Sequence, residues 1–211
     1  FWIWREQPLR ESLSLLYREL ADYCEAKYSL LTQHTDPEKA LPPLLVRQQK
    51  AVDLITQCYQ QMHMLSAQNN TDYKRMLRIF QEALDLQEHI SVSLHQPEEV
   101  QKLVERSHAE EVIRWNAQTV AARLRVLADD ILYHRLPTRF TMEKQIGALE
   151  KIARQHPDNP VGQFCYWHFS RIARVLRTQK PLYARDLLAD KQRRMPLLPA
   201  LKGYPVSYTH L

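Results

Sequence analysis

The sequence has very little glycine, and this shortage narrows the fold class. Only 3 of its 211 residues are Gly, which argues against an all-β fold with many tight turns and against a glycine-rich phosphate-binding loop. No run of 18 or more apolar residues occurs, so we expect no segment inside the chain to span a membrane. The 12 Pro residues fall mostly between periodic segments and separate predicted helices.

The motifs of enzymes and metal sites are missing as well. The nine His residues form no HExxH pattern and no Cys/His finger spacing, which are the usual zinc-binding arrangements. Serine nucleophile elbows and Walker loops are also absent from the sequence. We therefore expect no enzyme activity, no bound metal and no cofactor, and we expect the histidines to lie on the surface or at helix caps.

Cysteine is scarce, and its spacing argues against disulfides. Cys24, Cys58 and Cys165 are far apart in the chain, and an odd count without paired spacing suits a reducing compartment. Each of them falls on the apolar face of a predicted helix. We expect all three to act as small buried hydrophobic residues.

Apolar residues recur at intervals of three and four along most of the chain, which is the helical period. The pattern predicts an all-α fold, a bundle of about six mostly antiparallel helices joined by short loops. The predicted helices cover residues 8–31, 44–66, 72–94, 98–134, 142–155 and 161–178. The fourth is one long helix over 98–134, in which the polar gap from Glu105 to Glu111 is the place for a bend or a break.

The basic residues are concentrated near the C-terminal end. The chain carries a formal net charge of +5, and from Arg171 to Lys202 nine Lys or Arg residues face only two Asp. Such an end is suited to nucleic acid or anionic lipid. It also fits the positive-inside flank of a membrane segment, and we expect a lipid partner and no nucleic acid.

Two features of the sixth predicted helix are candidates for ligand contact. An aromatic cluster over residues 164–169 includes Tyr166 and Trp167; it could line a ligand pocket, but at helical spacing it is more typical of a core. Arg171, Arg174 and Arg177 step by three along the same helix. They are suited to phosphate or lipid head groups, and the alternative is a solvated stripe.

Both ends of the chain suggest a nearby membrane. Trp2, Trp4 and Arg5 are typical of a membrane interface, so residues 1–5 are predicted to end a preceding transmembrane segment. Residues 6–180 are predicted to form a cytoplasmic helical domain. Residues 181–204 are predicted to be a basic linker toward the next membrane block, with Arg193 and Arg194 at the membrane interface. Residues 205–211 match the in-frame translation of a sequencing adapter (GTC-TCT-TAT-ACA-CAT-CT) from Val206 onward and are predicted to be an artefact.

Several short stretches resemble a known family of membrane proteins. They are residues 7–11 (QPLRE), 16–21 (LYRELA), 23–27 (YCEAK), 185–188 (RDLL) and 195–199 (MPLLP). Over residues 1 to about 202 the chain resembles inner-membrane proteins of the YccS/YhfK type, most closely the YccS type. These proteins belong to the fusaric-acid-resistance-like (FUSC) superfamily, whose relatives include aromatic carboxylic acid exporters.

The resemblance implies a role in membrane transport. It implies two blocks of transmembrane helices in the bacterial inner membrane, with this chain as the cytoplasmic helical domain between them. That domain would couple or regulate the two blocks of an efflux transporter for an aromatic acid or xenobiotic, and would support homo-oligomers. The alternative is a stand-alone soluble helical interaction or sensor module without a transport role.

Overall fold

The structure, a computed structural model, describes residues 6–32, 37–65, 71–92, 102–105, 107–135 and 137–194. Side chains are described for residues 6–30, 41–65, 73–92, 102–105, 107–135 and 137–177. The helices are α1 (Gln7–Thr32), α2 (Pro37–Leu65), α3 (Thr71–Ser91), α4 (Ala109–Leu132), α5 (Glu143–Gln155) and α6 (Pro160–Arg194), and residues 102–105 add a short helical segment. No strand occurs in these ranges, so the all-α prediction is confirmed.

Helix α1 is the centre of the bundle, and α2, α3 and α4 pack around it. Its strongest repeat is Leu9, Leu13, Leu16 and Leu20, at spacings of four, three and four. These spacings place all four side chains on one helix face. All four are completely buried, as the sequence pattern predicts.

Hydrogen bonds and ion pairs fix the direction of the helices around α1. Glu19 of α1 contacts Lys50 of α2, and Glu25 of α1 contacts Arg125 of α4. Asp22, between them, reaches both Arg47 of α2 and Arg125. Together with an ion pair between Arg18 and Asp129, these contacts show that α2 and α4 run antiparallel to α1.

Further contacts show the directions of the other helices. Helix α3 runs parallel to α1, because Tyr17 donates to the Ile79 carbonyl and Lys27 to the Ile90 carbonyl. Asn116 of α4 donates to the Gln145 carbonyl and Arg123 to the Thr138 carbonyl, so α5 is antiparallel to α4. Helix α6 returns antiparallel to α5 after the turn at residues 156–159. The predicted mostly antiparallel bundle is therefore confirmed.

These directions place the beginning of α1 and the C-terminal part of α6 at the same end of the bundle. Helix α6 is parallel to α4 and antiparallel to α1, and Tyr28, late in α1, contacts Phe169 near the middle of α6 with ring centroids 4.6 Å apart. From that contact α6 runs on toward the level at which α1 begins. The turn between α5 and α6 lies at the opposite end.

A buried lysine links α1 to the C-terminus of α3. The Lys27 ammonium donates to the carbonyls of Ile90 and Val92, which belong to the last turn of α3 and the residue after the helix. A cation suits this position because the carbonyls there lack helical partners and carry the negative end of the helix dipole. Burial lowers the pKa of Lys27 to about 8.

The three cysteines are completely buried and form no disulfide, which confirms their predicted role as small hydrophobic residues. Burial raises the pKa of each thiol to about 12. Because the thiolate is the reactive form, burial and a raised pKa both lower the reactivity of these cysteines at neutral pH.

Two predicted helix boundaries are wrong. The sequence predicts a break before Leu44, but α2 begins at Pro37 and carries Pro42 and Pro43 inside it; each proline removes one backbone donor without ending the helix. The last helix is predicted to end near Thr178, but α6 continues to Arg194. Its helical residues 181–194 lie in the predicted linker, whose role remains a prediction.

The long fourth helix predicted over 98–134 is broken within its polar gap. Ser107 and His108 are not helical, and α4 begins at Ala109. The Ser107 hydroxyl donates to the Leu103 carbonyl and accepts from the Ala109 N–H. The same side chain thus bonds the backbone on both sides of the break, in competition with the hydrogen bonds of a continuous helix. The apolar period of the predicted fourth helix also places Trp115 inward, and this is wrong because Trp115 is 44% exposed.

None of the described helices combines the length and the apolar character that a membrane crossing needs.

We predict that Glu19→Gln destabilises the bundle by about 1–2 kcal/mol, because it removes the charged acceptor of two basic side chains. Glu19 is only 3% exposed and accepts from both Arg47 and Lys50 of α2. Urea denaturation measures the effect as a lower midpoint with an unchanged slope. Glu11→Gln is the matched control on the exposed face of α1. Equal midpoints for the two variants would contradict the prediction.

Candidate functional site

A groove between α5 and α6 brings together two of the arginines singled out by the sequence. It has a volume of about 320 Å³, and its lining includes Arg174 and Arg177 of α6. The antiparallel packing of α5 on α6 forms its two walls, and the segment before α5 closes one end. The other lining residues are Phe140, Thr141, Met142, Glu143, Ile146, Gly147, Glu150, Ser170 and Ala173.

Gly147 keeps the α5 wall of the groove open. It lies inside α5, where glycine costs a helix up to about 1 kcal/mol relative to alanine. A Cβ atom added at this position would meet no atom within 4 Å. The missing side chain therefore leaves free space beside the apolar residues Phe140, Met142 and Ile146.

The arginines give the groove its charge. Arg174 and Arg177 are exposed, and among the described residues neither makes an ion pair. Two acidic residues, Glu143 and Glu150, lie on the opposite wall, and Glu150 is already paired with Arg154 at 2.5 Å. Excess positive charge therefore remains on the α6 side.

One residue of the groove lining has a hydroxyl group without a hydrogen-bond partner. The Ser170 Oγ atom is buried and makes no hydrogen bond to any described residue. A buried hydroxyl normally finds a partner, since leaving it without one costs about 1–3 kcal/mol. The Ser170 oxygen is inaccessible from the groove. The two arginines and the apolar side chains of Phe140, Met142 and Ile146 make the lining chemically suited to a small anion that has an apolar body.

The aromatic cluster of α6 divides between the core and the surface. Cys165 and Phe169 are completely buried, which confirms the core interpretation for them. Tyr166 is half-buried, and Trp167 is 62% exposed with its ring 5.5 Å from that of Tyr166. Neither Tyr166 nor Trp167 lines the groove.

Arg171 is separated from the other two arginines. It is exposed, one turn beyond Trp167 on the same face of α6, and does not line the groove. The structure therefore brings Arg174 and Arg177 together and leaves Trp167 and Arg171 on the outer face. The head-group role of all three arginines remains a prediction.

His168 contradicts the expectation that the histidines lie on the surface or at caps. It is 6% exposed, and its ring stacks on Phe164 with centroids 5.1 Å apart. Burial is the main cause that lowers the pKa of His168 to about 3, and the Lys27 ammonium lowers it further. The imidazole is therefore neutral at physiological pH and acts as a core aromatic ring.

A second cleft, between α1, α2 and α4, carries charges that are already matched. It has a volume of about 330 Å³ and is lined by Asp22, Glu25, Arg47 and Arg114, among others. Both acids bind Arg125, Arg47 contacts Asp22, and Arg114 pairs with Glu110. The pairs of Asp22 and Glu25 join α1 to its neighbours, and Arg114–Glu110 lies within α4, so we assign the cleft a structural role.

The membrane-interface candidates Trp2, Trp4 and Arg5 lie outside the described residues. Arg193 and Arg194 end α6, but only their backbone is described. Within the described ranges, no three His, Cys, Asp or Glu side chains meet in a way that could hold a metal ion. The expectations of no metal and no cofactor remain expectations.

Comparison with known proteins identifies the family. A family model described as "FUSC-like inner membrane protein yccS" matches residues 1–187, which is most of the chain. The chain belongs to this family of inner-membrane proteins, and the resemblance seen in the sequence is confirmed. No solved structure matches the chain.

We predict that His168 makes the protein sensitive to acid. Its pKa is about 3 in the folded state against an ordinary 6.5, so between these values the unfolded chain binds a proton that the folded chain does not. The unfolding free energy therefore falls as pH drops through this window, by up to about 1.4 kcal/mol per unit. His168→Phe should flatten this dependence in urea denaturation, and exposed His63→Gln should not. Equal slopes for His168→Phe and the parent would contradict it.

We predict that Gly147→Ala stabilises the fold by roughly 0.5–1 kcal/mol, because alanine favours the helix and its methyl group enters open space. Gly162→Ala provides a comparison at a buried position, where a Cβ atom would make ordinary van der Waals contact with Ala153 at 3.6 Å. Thermal unfolding measures both. A destabilised Gly147→Ala variant would show that the space beside this glycine is filled.

Proposed function

We propose that residues 6–180 form the cytoplasmic domain of an inner-membrane efflux transporter, placed between two blocks of transmembrane helices. In this proposal the domain couples or regulates the two blocks. It carries no catalytic role. The main support is the match to an inner-membrane family over residues 1–187.

The topology of the bundle adds physical support. A domain between two membrane blocks on one side of a bilayer has to return its chain to the face from which it came. The beginning of α1 and the C-terminal part of α6 point to the same end of the bundle, as the contacts of Arg18 with Asp129 and Tyr28 with Phe169 indicate. The basic residues after Arg171 suit the cytoplasmic flank of a membrane segment.

The same arrangement offers a route for mechanical coupling. Helix α1 is held to α2 and α4 by ion pairs and to α3 by Lys27. A displacement of the segment before α1 would therefore move several helices at once, because a close-packed core transmits strain. Helix α6, which contacts α1 through Tyr28, would carry that movement toward the second block.

The cargo in this proposal is an aromatic acid or a xenobiotic, by kinship with exporters of the superfamily. The groove between α5 and α6 is compatible with binding such a molecule, because apolar side chains line it together with Arg174 and Arg177. Its place in the cytoplasmic domain would make it a sensing site.

A stand-alone interaction or sensor module is the second candidate. The groove between α5 and α6 supports the stand-alone module as much as the transporter domain, because a ligand-binding site does not require transmembrane helices. The two candidates differ in what lies on either side of this chain in the gene.

We predict apolar segments of ~20 residues, grouped in blocks, on both sides of this chain in its gene. Sequencing outward from both ends gives the first answer. In cells, a fluorescent protein inserted after Asp158, in the exposed α5–α6 turn, should fluoresce in the cytoplasm, and an alkaline phosphatase inserted there should stay inactive.

A phosphatase insertion that is active would overturn the cytoplasmic assignment. A reading frame without apolar blocks on either side would overturn the transporter and leave the stand-alone module.

A further inference from the structure

Helix α2 carries an unusual share of the exposed apolar surface. Twelve large hydrophobic residues are exposed in the described part of the chain, and six of them lie on α2. They are Leu41, Leu45, Val46, Val52, Tyr59 and Met64. Scattered exposed hydrophobic residues are normal, but a concentration on one element marks an interaction surface.

Four of these residues form one stripe along the helix. Leu41, Leu45, Val52 and Tyr59 are separated by four, seven and seven residues, so they stay within a narrow angular sector. Their exposed fractions lie between 40% and 63%. The stripe is about 27 Å long at ~1.5 Å per residue, and no charged residue lies within it.

The core-facing side of α2 is a different face. Ala51, Cys58, Met62 and Leu65 are buried against the rest of the bundle, and α2 packs mainly on α1 and α3. Helix α2 therefore has two apolar faces, of which only one is covered. A helix that is apolar on two sides is typical of one that is packed on two sides.

The nearest positive charges are directed away from the stripe. Arg47 and Lys50 reach back to Glu19 and Asp22 of α1, and Asp53 accepts a hydrogen bond from Gln49 on α2 itself. A second α2 placed against the stripe would therefore meet no row of like charges, which would otherwise oppose the pairing of identical surfaces.

We propose that this stripe, defined as Leu41, Leu45, Val52 and Tyr59, binds the same stripe of a second copy of this chain. The seven-residue spacing is that of paired helices, in which such residues repeat along the contact line. A two-fold axis brings each stripe against itself, as an isologous dimer requires.

The direction of pairing follows from the membrane and rests on the proposed function. If both ends of the domain face one bilayer, the bundle helices run roughly along its normal, and copies in one membrane share that direction. The two α2 helices are then parallel, and Val52 of one copy lies opposite Val52 of the other. Tyr59 lies opposite Tyr59 in the same way.

Single-cysteine cross-linking tests the pairing in the full-length protein in its membrane. The three native cysteines of this chain are completely buried, so Val52→Cys introduces an exposed thiol at a known place. Under mild oxidation Val52→Cys and Tyr59→Cys should each form a disulfide-linked dimer. Gln57→Cys, exposed on another face of α2, is the matched control and should form at least about tenfold less.

A charge introduced into the stripe gives a second measurement that does not depend on the membrane. In sedimentation of this 211-residue chain, Val52→Lys should weaken dimer formation by about tenfold or more, and Met64→Lys by less than about twofold. Met64 is more exposed than Val52 but lies off the stripe. Circular dichroism confirms that both variants remain folded.

Equal cross-linking at positions 52 and 57, or equal effects of the two lysine variants, would overturn the proposal. Cross-linking at position 52 but not at position 59 would support the dimer and contradict the parallel direction of the two α2 helices. It would then also contradict the proposed orientation on the membrane. The dimer and the proposed function can thus fail separately.

Discussion

The bundle depends on the burial of α1 by the helices α2, α3 and α4. Helix α1 also carries charged side chains where it contacts these helices. Burying an isolated charge is costly, so each charge at these interfaces has to be matched by its neighbours. Lys50 and Arg47 of α2 match Glu19, Arg125 of α4 matches Asp22 and Glu25, and the last carbonyls of α3 match Lys27. These contacts connect three helices to one and show the directions in which they run. The positions of the α5–α6 groove, of the beginning of α1 and of the C-terminal part of α6 follow from those directions.

The sequence predicts well wherever one strong pattern decides the structure. The leucines of α1 give its buried face directly, because their spacing matches the helical period without interruption. Helix α3 is harder: its apolar period indicates Tyr73, Leu77 and Leu84 as inward, and these are half-buried and pack against the core. The period does not indicate Ile79, Ala83 and Leu86, which are buried. Helix α3 packs on both α1 and α6. The spacing of apolar residues within α3 does not show where these two neighbouring helices lie, so it cannot predict which residues they bury.

The candidate site shows the same limit. The arginine triplet is visible in the sequence, but only the packing of α5 on α6 shows that Arg174 and Arg177 share a groove and Arg171 does not. No pattern in the sequence indicates that Phe140, Met142 and Ser170 line a groove. Gly147 was detectable, since a lone glycine within a helical pattern often has a packing or functional reason. The expectation for His168 is wrong because the polarity of a histidine favours the surface, whereas this one lies among aromatic residues at core spacing.

The central claim is that the domain stands on a membrane with the beginning of α1 and the end of α6 toward the bilayer. The most direct test is the depth of fluorescent labels in the full-length protein, quenched by groups attached to lipid head groups. Glu11→Cys and Arg177→Cys provide exposed labels toward the near end, and Asp158→Cys provides one in the α5–α6 turn at the far end. The account predicts stronger quenching at positions 11 and 177 than at 158. Stronger quenching at 158, or equal quenching at all three, would contradict it.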